Sequence, residues 1–353
     1  MAIRFGIWLD FRNPEPWHRD PARLYAETLE LAAFAEQLGF DDIWTSEHHF
    51  VEDGYLSASL ATCAAIAART TRVRIGTNVL LLPLHDPIRV AEDAATVDLL
   101  SGGRLDLGVA VGYRTTEFHR FGVDPSTRGA RMDEALEVLR ACLSQPEVSY
   151  LGRFYTLDRV TTAPRPLQNP MPLLVGALSR RAASRAGRLG TGLLGPELLA
   201  STLDEERSAR IAIDEFLGQQ ALVRPGTRAD VALGPGFGFL SEDPDRDATW
   251  VVPHLAYRRR LYAAWFSEAG LGREATAQSA PDGEFRTRFP WILVSPADAL
   301  ARVRSILERY PEMTRLFFWA VPPGAPIHLA ARSLELFAER VIRPLRDGGS
   351  VAT

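Results

Sequence analysis

The chain has 353 residues and is 46% hydrophobic, enough apolar material for one large core or two ordinary ones; its 40 basic residues against 44 acidic ones give a formal charge of -4. None of the 40 is a lysine, which excludes Schiff-base, pyridoxal-anchoring and P-loop lysine chemistry, because guanidinium stays protonated and forms no such adduct. No basic half or tail suggests a nucleic-acid partner. Cys63 and Cys142 are too few for a disulfide framework or a multi-cysteine zinc site. With no secretion-signal pattern and no apolar run of about 20 residues, the sequence is expected to be cytoplasmic and without a membrane partner.

Along the chain, short β-rich segments alternate with longer helical patterns. Ile3 to Leu9 reads as strand one, Ala22 to Leu38 as a helix stopped by Gly39, Asp41 to Thr45 as strand two and Ser57 to Arg69 as a helix. Strand three is expected over Arg72 to Val79, a helix from Pro87 to Leu100, strand four over Leu105 to Ala110 and a helix from about Ser126 to Leu143. Residues 145–170, with Pro164, Pro166 and Pro170, read as a loop excursion within the domain.

Strand five is expected at Pro172 to Gly176, a helix at Arg180 to Arg188, a weak strand at Thr191 to Leu194 and a helix at Asp204 to Leu222. Asp230 to Leu240 holds a glycine-interrupted strand, and Asp247 to Ala269 is helical. A polar excursion over 272–290 precedes a strand at Trp291 to Val294, a helix opened by Ser295-Pro296, a strand at Thr314 to Trp319 and a last helix from His328 to Ile342. The alternation predicts an α/β fold: a single (β/α)8 TIM barrel over residues 1–353, with inserted loops near its C-terminal face. No GxGxxG follows strand one, which argues against an open dinucleotide-binding sheet.

In such a barrel the residues just after the strands converge on one site. Glu47-His48-His49 follows strand two and is the densest polar cluster; a catalytic or ligand role outweighs packing for an adjacent histidine pair beside a carboxylate. Adjacent histidines on an extended segment point apart, so a zinc site would need His85, His119 or a distant carboxylate, and no metal is expected. Asn78 ends strand three beside an apolar run from Leu80 to Leu84, a setting for a flat, partly polar ring. After strand four, Gly112 permits close approach, and Tyr113, Arg114 and Glu117 can reach a ligand or pair with one another. Ser179, Arg180 and Arg181 after strand five offer a hydroxyl, charge and helix N–H groups to a phosphate, or an ordinary helix cap.

The segments Gly39 to Phe50, Ile75 to Val79, Pro87 to Asp98, Leu100 to Gly108 and Glu117 to Gly122 resemble successive motifs of the bacterial luciferase-like flavin-dependent monooxygenases, and the likeness covers most of the chain. The resemblance implies that reduced FMN, supplied by a separate NAD(P)H-dependent flavin reductase, reacts with molecular oxygen and oxygenates a small organic substrate through a peroxyflavin. Deazaflavin-dependent hydride transfer on the same barrel is the alternative. It further implies that His48 lies beside the flavin ring with Glu47 and His49 as neighbours. Asn78 lies in a segment where relatives often have a non-proline cis peptide, and Ser179 is the residue that would hold the FMN phosphate. Where luciferases have a cysteine and an arginine after strand four, this chain has Ala110 and Val111, which leaves more of the phosphate to Ser179, Arg180 and Arg181. A homodimer joined near strands two and three is also implied.

Overall fold

The apolar strand segments assemble as a closed parallel barrel in the computed structural model, which describes residues 3–198, 202–270 and 282–347. Its strands are β1 (Arg4–Trp8), β2 (Asp42–Thr45), β3 (Arg74–Thr77), β4 (Leu105–Ala110), β5 (Leu173–Gly176), β6 (Gly192–Glu197), β7 (Asp230–Gly234) and β8 (Arg315–Trp319). Each pairs in parallel with the next, and β8 returns to β1 with Arg4 opposite Arg315 and Trp8 opposite Trp319. This is the expected (β/α)8 barrel.

Around it run α1 (Pro21–Leu38), α2 (Ser59–Ala67), α3 (Pro87–Leu100), α4 (Thr115–Arg120), α5 (Arg128–Ser144), α6 (Arg180–Leu189), α7 (Leu203–Val223), α8 (Pro244–Glu268), α9 (Asp282–Arg288), α10 (Pro296–Arg309) and α11 (Ile327–Phe337). Their ends follow local chemistry. Asp20 caps α1 and Gly39 closes it in the left-handed region at φ 94°. At α3, the Asp86 carboxylate accepts from the N–H groups of Ile88 at 2.8 Å and Arg89 at 3.2 Å. Asp86→Ala is expected to cost about 1 kcal/mol, read as a lower denaturant midpoint with an unchanged slope.

Three segments depart from the sequence expectation. Trp291 to Val294 is not a barrel strand: only Leu293–Val294 is extended, and it pairs with Phe239–Leu240 in a separate two-stranded sheet. An apolar run of that length fits any buried extended segment, so periodicity could not assign its partner. Within 145–170, Val148–Leu151 and Thr156–Val160 form an antiparallel hairpin held along α5: the N–H groups of Arg153 and Phe154 donate to Glu134, and Tyr150 donates to Glu137 at 2.8 Å. Strand three stops at Thr77, before a cis Asn78–Val79 peptide, and Leu80–Leu81 then resumes pairing with β4. Most of the 272–290 excursion lies outside the described residues, and 282–288 is helical.

The barrel interior is layered. At the strand starts, three arginines and three aspartates (Arg4, Arg74, Arg315, Asp42, Asp106 and Asp230) form a charged floor in which Asp106 accepts from all three guanidiniums. Above it lies an apolar layer containing Trp44, Leu174, Leu194, Ala232 and Phe317. Trp44 fills so much of this space that a Cβ on Gly76 would meet its ring at 2.4 Å, and one on Gly6 would meet its Nε1 at 2.7 Å. Glycine at these two strand positions is therefore a requirement of packing.

Candidate active site

β2 delivers Thr45-Ser46-Glu47-His48-His49 to the C-terminal rim, and the two imidazoles point apart as an extended segment requires. His48 is buried, and its Nδ1 lies 2.9 Å from Oε1 of Glu117, at the start of α4. The same oxygen accepts from His49 N at 2.9 Å and from Arg114 Nη1 at 2.9 Å. Arg114 also donates to His49 O at 2.8 Å, so the loop after β4 is stapled to the loop after β2. Arg114 and Glu117 thus pair with each other, and Glu117 also fixes the His48 ring. Tyr113 places its hydroxyl 3.4 Å from His48 Nε2.

Glu47 serves the other histidine. Its Oε1 lies 2.7 Å from His49 Nε2 and 2.6 Å from His85 Nε2, while Oε2 accepts from Leu81 N at 3.0 Å. These are charge-assisted hydrogen-bond lengths. The ligand atoms of Glu47, His49 and His85 lie within 4.8 Å of one another, a spacing that also suits a divalent ion.

The electrostatics separate the two clusters. Burial pushes the His48 pKa down, outweighing the raising effect of Glu117, so the ring is neutral near pH 7. Burial raises the Glu117 carboxyl, but the bonds from His48 and His49 N, with the nearby Arg114 charge, outweigh it and hold it below its usual range. An ionised Glu117 accepts from Nδ1–H of a neutral ring, which leaves Nε2 as the proton-accepting nitrogen. Glu47 is also desolvated, yet its two histidine partners bring its pKa down to about 2, and Glu47 in turn keeps that of His85 above the ordinary value despite burial.

α8 roofs this region. His254, Arg258, Tyr262 and Trp265 form a stripe at helical spacing. Tyr262 donates to or accepts from Tyr55 at 2.6 Å, and the rings of Tyr55 and Trp265 each lie 4.7 Å from His48. An adjacent stripe, including Val251, Val252, Leu255 and Ala263, is buried against Phe285, Phe289 and the Phe239–Leu293 contact. Sequence reasoning gave a helix here, with its Trp250 region able to cover the barrel mouth, but not which face of it does so. An open cavity of about 470 Å³ lies beside α8, lined by residues including Trp17, Pro253 and Tyr257, and does not include His48.

The remaining expected residues occupy two places. Asn78 follows β3 beside the cluster; its backbone N–H donates to Thr45 O at 2.6 Å, and its side-chain Nδ2 is buried without a partner among the described residues. Gly112 has φ 79°, and a Cβ there would press on the Phe118 ring at 3.2 Å. Ser179, Arg180 and Arg181 are exposed around the start of α6, where Ser179 Oγ accepts from Ala182 N at 3.3 Å and Arg180 is paired with Glu215 at 2.7 Å. An orphan amide at β3 and an exposed hydroxyl with helix N–H groups at β5 fit the polar ring edge and the phosphate of a flavin nucleotide.

The fold is a (β/α)8 barrel, and the loops after β2 and β4 build a buried polar cluster at the C-terminal end of its strands. The chain belongs to the luciferase-like monooxygenase family, whose model matches residues 3–284. It is 34% identical over 342 residues to an F420-dependent glucose-6-phosphate dehydrogenase of Amycolatopsis mediterranei, covering 92% of this chain and 95% of that one. It is 35% identical over 172 residues to the oxygenase component of a flavin-dependent trigonelline monooxygenase of Acinetobacter baylyi, covering 48% and 47% of the two chains. The structure of the monooxygenase RslO1 from Streptomyces bottropensis superposes with a TM-score of 0.77 at 27% identity, covering 97% of this chain and 99% of that one. The match spans about half the length of several curated relatives. The family includes both flavin monooxygenases and F420-dependent oxidoreductases.

Proposed function

We propose that this protein is the oxygenase component of a two-component FMN-dependent monooxygenase, receiving reduced FMN from a separate NAD(P)H-dependent reductase and oxygenating a small organic substrate. The observation that carries the reading is the buried His48–Glu117 pair, whose orientation leaves Nε2 to exchange a proton beneath the aromatic roof of α8. Bound reduced FMN supplies the electrons that activate molecular oxygen. Asn78 Nδ2 would donate to a carbonyl of the ring, and Ser179 with the α6 N–H groups, Arg180 and Arg181 would hold the phosphate. His48 Nε2 would hold or return a proton at the reacting oxygen, Tyr113 would orient that nitrogen, and Glu47 with His49 would fix the loop. Buried Leu80, Leu81 and Leu82 would keep water from the ring side of β3.

The same reading includes a homodimer. An apolar groove of about 290 Å³ between α1 and α2, lined by residues including Tyr25, Leu29, Leu56 and Ala61, supports a contact on this face. Among the described residues no helix is long and apolar enough to cross a membrane.

The full-length match to the F420-dependent dehydrogenase favours deazaflavin-dependent hydride transfer as the second reading. Anaerobic titration with reduced FMN and with deazaflavin separates the two. The expected result is tight binding of reduced FMN, weakened by Ser179→Ala about tenfold (about 1.4 kcal/mol), followed by oxygen consumption on mixing with air. Binding of deazaflavin alone would overturn the proposal.

A further inference from the structure

Arg258, midway along the inward stripe of α8, is 1% exposed, and none of its three guanidinium nitrogens has a hydrogen-bond partner among the described residues. A buried cation with every donor unused is costly to leave so. It lies 4.9 Å from the centre of the Trp319 ring, at the end of β8, and Arg12 lies 5.4 Å from the same centre. Ring contact satisfies part of a guanidinium's charge but none of its N–H groups.

The surrounding carboxylates have other partners. Arg12 is paired with Asp10, and Arg259 lies 3.7 Å from Glu197, at the end of β6. The charged groups that act on Arg258 are Arg259, Glu197, Arg12 and Asp10. With Arg258 itself and Asp53, whose carboxylate also acts on Arg12, these are three guanidiniums and three carboxylates, but none of the carboxylates reaches the Arg258 nitrogens. Unused donors accumulate here too: Arg12 Nη1 and Arg259 Nε are buried without partners among the described residues. Burial, reinforced by Arg259, pushes the Arg258 pKa down to about 9, the direction expected of a cation awaiting a counter-charge.

The location is catalytic ground. Arg12 lies 4.9 Å from the Tyr55 ring centre, and Tyr55 is the edge-to-face neighbour of His48. Ser179, by contrast, follows β5 and is exposed, so the place suited to a cofactor phosphate and this buried cation are separate. We infer that the small organic substrate carries an oxyanion, a carboxylate, sulfonate or phosphate, received in the barrel by Arg258 with Arg12 Nη1 as second donor. The forked guanidinium geometry matches such a group. This rests on the proposed monooxygenase reading for what the substrate undergoes, but not for the binding of the anion.

The test uses the full chain, with thermal midpoints measured in inorganic phosphate and in acetate against chloride at equal ionic strength, with and without FMN. The wild type is expected to gain about 3–4 °C at phosphate a hundredfold above its dissociation constant. Arg258→Met is expected to raise the midpoint of the ligand-free protein, because it removes an unpaired buried charge, and to abolish the anion-specific gain while changing FMN affinity less than twofold. Arg258→Gln, which keeps donors but no charge, should lose the gain as well. A wild type indifferent to both anions overturns the proposal whether or not the variants fold. So does an equal gain in wild type and Arg258→Met. A tenfold or greater loss of FMN affinity in Arg258→Met would mean that the oxyanion belongs to the cofactor, which also overturns it. Absence of FMN binding to the wild type would instead remove the monooxygenase reading and leave an anion-dependent midpoint standing.

Discussion

Glu117→Gln is expected to change the rate at which bound reduced FMN is consumed by oxygen by about 10²-fold or more, with little effect on FMN affinity. Glu117 touches no position suited to the cofactor; it sets the state of His48. In the wild type its ionised oxygen accepts from Nδ1–H and so assigns the lone pair to Nε2. A glutamine amide has to turn its oxygen to the His49 N–H and Arg114 donors that share this position, so it keeps the hydrogen bond but loses the negative charge that supports a proton on the imidazole, the role the carboxylate has in a Ser-His-Asp triad. The pH profile carries the sign. Glu117 raises the His48 pKa while burial and Arg114 lower it. Removing the carboxylate leaves the Arg114 charge uncancelled, so the acidic inflection of the oxygen reaction should move to lower pH. Stopped-flow reoxidation across pH, with hydrogen peroxide release measured in parallel, checks both effects. An unchanged rate with an unchanged inflection would show that Glu117 only staples the two loops.

The His48–Glu117 pair also marks where sequence reading reaches its limit. The barrel was legible because each strand is an apolar run followed by a helix with a local stop or cap, as at Gly39, Asp86 and Ser179. The strand-end positions then pointed to Glu47, His48, His49 and Asn78. Which carboxylate serves which histidine was not legible, since Glu117 is 69 residues from His48 while Glu47 is its neighbour in the chain. Only the meeting of the loops after β2 and β4 decides it. The inward face of the roof was hidden for a related reason: helical periodicity says that α8 has two faces but not what each covers. Arg258-Arg259-Arg260, following the apolar Trp250 to Val252 and Leu255 to Tyr257, was the available signal, because three adjacent helix positions cannot all face solvent.

The charged floor was signalled in the same way, by charged residues at the starts of strands whose other members are apolar, and it supports the second large expectation. Asp106→Asn should destabilise the fold by about 3–5 kcal/mol, a fall in thermal midpoint of roughly 5 °C for a chain this long. Burial would push the Asp106 carboxyl up, but Arg315, Arg74 and Arg4 together hold it well below the ordinary range. Its neutral replacement leaves three guanidiniums around a group that no longer offsets them, and Arg315 is itself 2% exposed. Because the folded carboxyl is depressed, its contribution is complete above the unfolded value of about 3.9 and is lost as pH falls towards the folded one. The stability gap between wild type and Asp106→Asn should therefore be constant from neutral pH down to about 5 and narrow below about 4. Paired denaturant titrations at pH 7 and at acid pH measure it. The site should be spared in the folded fraction, since Asp106 lies at the opposite end of the barrel from His48. Asp106→Asn protein that is as stable as wild type at pH 7 would mean that the five remaining charges are tolerated without it and that the Trp44 layer alone holds this end of the barrel.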